Sequence, residues 1–211
     1  MNTIEKAIAE ERQFIQNAKR EELLPYVQKH ALHSSNFYEF CEKANMETIK
    51  YYLRKYPLTD EAIFYVLENG TIDYWEPLFS ERHLSTEGLT YLFEKGTPET
   101  VCEYIRYHDL PEKFEKKLFS PGYEKAAMFY VSHYILFANS EVPMMNFGGP
   151  KMAKRYIEHE DLHKEAEQLL LTPRFIELVP FYLSKWYLTD EALKRYNEIL
   201  AKQTSNEEEE E

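Results

Sequence analysis

The sequence predicts an all-α chain of about seven 26-residue helical hairpins behind a leading helix, and three observations predict it. Leucine recurs at Leu32, Leu58, Leu84, Leu110, Leu136, Leu162 and Leu188, a spacing of 26 residues held without a slip. Six residues before each stands Tyr26, Tyr52, Leu78, Tyr104, Tyr130, Tyr156 or Tyr182, and three residues earlier again an apolar side chain, Leu23, Ile49, Trp75, Val101, Ala127, Ala153 or Val179. Within one period, Ile49, Tyr52, Leu53 and Tyr56, and then Ala62, Ile63, Val66 and Leu67, follow the i, i+3, i+4, i+7 spacing of two helix faces. A helix pair this short buries only one of its sides and gains stability by stacking on its neighbours, which predicts an α-solenoid forming one domain over residues 1–203.

Taken in order, residues 4–18 read as the second helix of an incomplete leading unit, with Phe14 and Ile15 in the phase of Phe40 and Cys41. Pro25, Pro77 and Pro180 fall near the middle of first helices, which should kink there or begin late. In the unit from Asn45 to Gly70, Pro57 and Leu58 separate the two helices, Thr59 caps the second, and Asp60 and Glu61 place negative charge at its positive end. The same Leu-Thr-Asp-Glu-Ala string returns at Leu188 to Ala192, and Thr97-Pro98-Glu99 has the cap, proline and acid that open a first helix. Ala44, Gly70, Gly96, Gly122 and Gly148, twelve residues after the first five leucines, read as left-handed helix ends. Pro143 and the Gly148-Gly149-Pro150 run predict a broken second helix and a hinge. Residues 204–211 have no apolar anchor and read as a disordered acidic tail. Some fifteen helices are expected in all.

These spacings resemble the α-solenoid class of HEAT-like and tetratricopeptide-like repeat proteins, with a shorter unit than either. The glycine, the aliphatic residue five positions on, the Tyr-[Leu/Ile/Val] pair and the turn leucine are more similar to tandem-repeat proteins of gut Bacteroides-type bacteria. The resemblance covers residues 21–200 and rests on packing positions. It implies a stack of helical hairpins with a role in binding and no particular reaction.

Composition narrows the function classes. With 44% apolar and 15% aromatic residues the chain is too rich for disorder. A formal charge of −12 opposes a nucleic-acid or anionic-membrane surface, which needs a basic footprint. The most apolar run, Met128 to Phe137, is too short to span a bilayer and contains Ser132 and His133. The charged N-terminal stretch does not read as a signal peptide, so a cytoplasmic location is expected, with Cys41 and Cys102 as reduced thiols in distant hairpins.

The run His159-Glu160-Asp161-Leu162-His163 satisfies the H-E-x-x-H zinc pattern, which requires both histidines on one helix and the glutamate as base. The repeat register puts Leu162 in a turn and His163 at the start of the next helix, so neither zinc nor catalysis is expected there. His159 is assigned to the outer face of the preceding helix, in the same phase as His133, and two imidazoles one layer apart could share a metal only with further ligands. A metal-dependent hydrolase using His159, Glu160 and His163 is the enzymatic alternative. Nucleic-acid binding is another, through Arg54, Lys55, Arg106, Arg155, Lys113, Lys116 and Lys117, but these are dispersed among Glu81, Glu103 and Glu158.

The favoured reading is a non-catalytic binding scaffold without cofactor. Opposite the core side of the second helices lie Glu42, Glu68 and Glu94 in one phase and Glu61 and Glu87 in another. Tyr38 and Phe64 stand between them in the outward phase, with Tyr65 and Tyr91 on the border. An acidic, aromatic ladder of this kind suits a protein or peptide with a basic and apolar surface. Pointing away from the core, Phe64 should be replaceable by Ala with little loss of stability. Stacked hairpins should give a circular dichroism spectrum dominated by helix, and small-angle scattering should give a radius of gyration above the roughly 17 Å of a globular chain this long; a value near 17 Å would contradict the stack.

Overall fold

Short polar side chains set where many of the helices begin. Asn45, Thr59, Ser85 and Thr97 each accept the backbone N–H three residues on, satisfying one of the donors a helix start leaves without a partner. The computed structural model describes the backbone of residues 2–209 and side chains as far as Lys202, and among these residues there are fourteen α-helices and no strand.

The chain falls into two compact units, Met1–His108 and Asp109–Glu211. The first unit holds α1 (Thr3–Asn17), α2 (Arg20–Lys29), α3 (Phe37–Lys43), α4 (Met46–Lys55), α5 (Asp60–Asn69), α6 (Ile72–Phe79), α7 (Thr86–Lys95) and α8 (Pro98–Tyr104). Alternate helices pack together: α2 on α4, α4 on α6 and α6 on α8, and likewise α1 on α3, α3 on α5 and α5 on α7. The second unit holds α9 (Glu112–Leu118), α10 (Glu124–Tyr130), α11 (Ala138–Ile157), α12 (Lys164–Leu170), α13 (Val179–Leu183) and α14 (Asp190–Glu209), with α11 packed on α9, α10 and α12. The repeating apolar positions are the core: Leu23, Ile49, Val101, Ala127, Ala153 and Val179 are buried, as are all the turn leucines except half-buried Leu58.

Three local expectations are revised. Gly70 and Gly96 are extended rather than left-handed, as is Ala44, because each runs straight into an extended capping residue, Thr71, Thr97 or Asn45, that opens the next helix. Among the described residues only Gly122 and Gly149 have positive φ, 95° and 62°. The break in α11 therefore falls at Gly149, and the helix passes through Pro143, whereas Pro150 opens the following segment where a missing N–H costs nothing. Pro25 and Pro77 are likewise held inside α2 and α6, while Pro180 starts α13 late, behind a 3-10 turn at Ile176–Leu178. α14 continues as helix to Glu209, across backbone read as tail from residue 204; residues 210 and 211 and the side chains beyond Lys202 lie outside the described residues.

The repeated tyrosine does more than fill space. In the second unit the N–H groups of Leu110, Leu136 and Leu162 donate to the hydroxyls of Tyr130, Tyr156 and Tyr182 at 2.8, 3.2 and 3.2 Å. Those hydroxyls donate in turn to Glu115, Glu141 and Glu167 at 3.1, 3.3 and 3.4 Å. Each carboxylate also accepts the N–H of a residue in the next turn, Phe137 at 3.0 Å, His163 at 2.8 Å and Thr189 at 3.2 Å. The three glutamates are buried, and the relay satisfies turn N–H groups that would otherwise be desolvated without a partner. The first unit keeps parts of it: Leu32 N–H meets Tyr52, and Glu11 accepts from Tyr26 and from His33 N–H.

A second recurring contact ends the first helix of a pair. Tyr56 donates to Val27 O at 2.7 Å and Trp186 to Ile157 O at 2.9 Å, each 29 residues back; Arg82 reaches Leu53 O, and also Tyr56 O at 2.9 Å. His108 Nε2 lies 2.5 Å from Phe79 O in the same relation. These are last-turn carbonyls with no acceptor role inside their own helix.

Tyr156→Phe removes the acceptor for Leu136 N–H and one donor to Glu141 in a buried site. It should cost about 1–3 kcal/mol in urea unfolding, whereas Tyr38→Phe, at an exposed ring, should change stability by under about 0.5 kcal/mol.

Candidate functional site

The nine residues of the acidic and aromatic ladder come from three helices of the first unit that pack in series. Tyr38 and Glu42 stand on α3; Glu61, Phe64, Tyr65 and Glu68 on α5; Glu87, Tyr91 and Glu94 on α7. All five carboxylates are exposed, while Phe64, Tyr65 and Tyr91 are half-buried. Phe64 stacks on Tyr91 with ring centroids 4.2 Å apart and planes 13° from parallel, and Tyr38 meets Tyr65 edge-on at 4.8 Å. The Tyr91 hydroxyl donates to the Glu68 carboxylate, a bond that raises the tyrosine pKa, and the Tyr38 hydroxyl donates to Glu61 O at 3.4 Å.

Phe64 therefore does not point freely outward as its phase suggests. α5 packs on α7, and the ring lies against Tyr91 in the seam between the two. What the face offers a ligand is an aromatic seam with carboxylates along it. The opposite row of helices carries an open cleft of about 860 Å³ lined by Leu24, Met46, Lys50, Tyr51, Arg54 and Lys55, among others. Its cations are engaged: Lys50 pairs with Asp73 at 2.8 Å, Arg54 with Glu76 at 3.0 Å, and Lys55 donates to Gln28 O at 2.6 Å beside the Tyr51 and Tyr56 rings. Two of its three cations are thus paired with carboxylates.

The histidine run is interrupted as its register requires, with α11 ending at Ile157 and α12 starting at Lys164. His159 lies in the turn beyond α11, not on its outer face, with Nε2 buried and without a hydrogen-bond partner among the described residues, and the ring edge-on to Tyr156. His133 stacks on Phe129 at 4.2 Å and its Nδ1 lies 2.7 Å from Phe129 O. Among the described residues no group of three or more His, Cys, Asp or Glu side chains could hold a metal ion. Cys41 and Cys102 are free thiols, and burial, aided by Glu42, pushes that of Cys41 up to about 12, where it is a protonated, poor nucleophile.

His163 has a different partner from the one its motif suggests. Its Nδ1 lies 2.9 Å from Glu141 Oε1, and its backbone N–H meets Oε2 of the same carboxylate. Burial raises the pKa of Glu141, the pull of His163 only partly opposing it, and burial also raises Glu115. His163 is raised by its hydrogen bond to Glu141. Reading the sequence for motifs missed Glu11, Glu115, Glu141 and Glu167, although they share one phase of the 26-residue period; the signal was a glutamate in a phase occupied elsewhere by Phe37, Ile63 and Leu89.

No family model, curated protein or solved structure matches this chain. Among the described residues no helix is long and apolar enough to cross a membrane.

The titrations share a sign. His163, raised above its ordinary 6.5, contributes stability that is complete below 6.5 and lost as pH rises through the folded value. Glu115 and Glu141, raised above 4.5, favour the folded state increasingly as pH falls toward 4.5. Thermal unfolding should show stability rising as pH is lowered from about 8 to about 5, and His163→Gln should flatten the upper part of that slope. A curve falling throughout that range would contradict the assignment.

Proposed function

We propose that this chain is a non-catalytic protein-binding scaffold, a solenoid of stacked 26-residue helical hairpins that takes a basic, partly apolar protein or peptide on the face formed by α3, α5 and α7. The observation that carries the reading is the set of five exposed carboxylates along a half-open aromatic seam, formed by Tyr38, Phe64, Tyr65 and Tyr91 across three successive helices. Bonds joining residues 20 to 29 apart, recurring once per period, support the stacking on which such a face depends. Carboxylates along the rim would steer a cationic partner, and the rings would hold it. The overall charge of −12 and the paired cations of α4 favour a protein partner over nucleic acid or an anionic membrane.

With a partner isolated by affinity capture, Phe64→Ala and Glu68→Lys should each weaken binding about tenfold or more, while Arg54→Ala, on the other row of helices, should bind like wild type. Added salt should slow association more than it speeds release. Loss of the Phe64 stack on Tyr91 should also cost about 1 kcal/mol of stability, so binding is compared under conditions where both forms are folded. Wild-type affinity in both face variants together with weakened binding by Arg54→Ala would place the partner on the wrong side of this reading.

A further inference from the structure

The second unit carries an exposed feature on a different part of the fold, along the turns that join its helices. Among its described residues the three most exposed large apolar side chains are Tyr187 at 94%, Ile135 at 67% and Phe137 at 49%. All three lie in the turns beside the repeated leucines, not on helices. Asp109 and Asp161, also exposed, occupy the same position of the period as Ile135 and Tyr187. Successive turns therefore present Asp109, Ile135, Asp161 and Tyr187, a carboxylate and a large apolar group in alternation. The equivalent positions of the first unit are Ala31, Pro57 and His83, with no such alternation.

These turns are held side by side by the buried relay. Leu110 N–H, Tyr130, Glu115 and Phe137 N–H form one continuous chain of hydrogen bonds linking the first turn to the second. Tyr156 and Glu141 link the second to His163 in the third, and Tyr182 and Glu167 link the third to Thr189 in the fourth. The backbone beneath each exposed side chain is thus fixed from within. A strip of apolar groups on a rigid base loses little conformational freedom on binding, which is the condition under which exposed apolar side chains act as binding anchors.

We propose that this turn edge is a docking strip for an extended segment of a partner protein whose cationic and apolar side chains alternate at about every third residue. Packed helices stand roughly 8–10 Å apart, and an extended chain in the polyproline II conformation advances about 3.1 Å per residue with three residues per turn, so every third side chain falls on one side and three residues of ligand match one period of the strip. Charge complementarity selects the occupant. The apolar groups alternate with Asp109 and Asp161, and Lys164 beside them is already paired with Glu191 at 2.8 Å. A second copy of a chain with net charge −12 is repelled by such an edge, as is an anionic lipid surface. The strip does not depend on the α3, α5 and α7 face.

The test uses the full chain and a fluorescent synthetic peptide, Lys-Ser-Ser-Leu-Ser-Ser-Lys-Ser-Ser-Phe, against a scrambled peptide of the same composition. Wild type should bind the periodic peptide about tenfold more tightly than the scrambled one by fluorescence anisotropy. Ile135→Ser and Asp161→Lys, both at exposed positions and checked for unchanged helical dichroism, should each abolish that preference, while Glu68→Lys in the first unit should retain it. Equal affinity of wild type for the two peptides, or a preference that survives both turn variants, would overturn the strip. Loss of the preference in Glu68→Lys alone would assign the peptide to the α3, α5 and α7 face and overturn it as well. Self-association in ultracentrifugation that disappears in Ile135→Ser would make the occupant a second copy, against the charge argument.

Discussion

A buried tyrosine hydroxyl standing between two backbone turns is the contact on which the second unit depends. A turn between short helices exposes N–H groups that no helix can satisfy, and burying them without partners is costly. Tyr130, Tyr156 and Tyr182 reach these groups from the helix that follows each turn by about twenty residues, and Glu115, Glu141 and Glu167 accept the hydrogen bonds of the hydroxyls and of the next turn's N–H. Burial holds the tyrosine hydroxyls protonated, with Tyr182 pushed up to about 12, so they remain donors across the physiological range. Satisfying the turns from inside frees their outer side chains from any structural duty. Ile135 and Tyr187 stand exposed on turns that the relay reaches from inside at Leu136, Phe137 and Thr189 N–H.

The first unit reaches a similar end by less polar means. Where the second unit has Glu115, Glu141 and Glu167, it has Phe37, Ile63 and Leu89, and Tyr52 keeps its bond to the Leu32 turn while its ring packs against Phe37 at 5.7 Å. With the buried charge gone from these positions, the polar character of α3, α5 and α7 lies on their surfaces. The two units thus share a period and differ at this phase: three buried glutamates anchor turns in the second, whereas in the first only Glu11 does so and α3, α5 and α7 carry their carboxylates exposed along an aromatic seam. The same difference separates the two binding surfaces proposed, one on helix faces and one on turns.

Chemical identity was a poor guide to structural equivalence at the helix ends. Tyr56, Arg82, His108 and Trp186 have little in common as residue types, yet each is a long side chain ending in a polar atom at the same point of the period. Each brings that atom to the carbonyl 29 residues back. A carbonyl at a helix end requires only a donor at the right height, so phenol, guanidinium, imidazole and indole are interchangeable there. The period was visible in the sequence because leucine and tyrosine recur by name; this second series recurs only by reach.

Local chemistry on the sequence determined the helices themselves. The caps at Thr59 and Thr97 and the turn around Leu162 stand where spacing placed them, because capping and helix periodicity act over a few residues. Tertiary structure decided what each outward position meets. Phase within one hairpin cannot say what the next hairpin covers, which is why Phe64 is in a seam, His163 serves Glu141, and the glutamates of an apolar phase are anchors. It also decided Gly70 and Gly96, whose extended conformation follows from the direction the following helix must take. A single helix pair fixes its own inward face by periodicity, but its other faces acquire an environment only when neighbouring pairs bring their turns and carbonyls within hydrogen-bond reach.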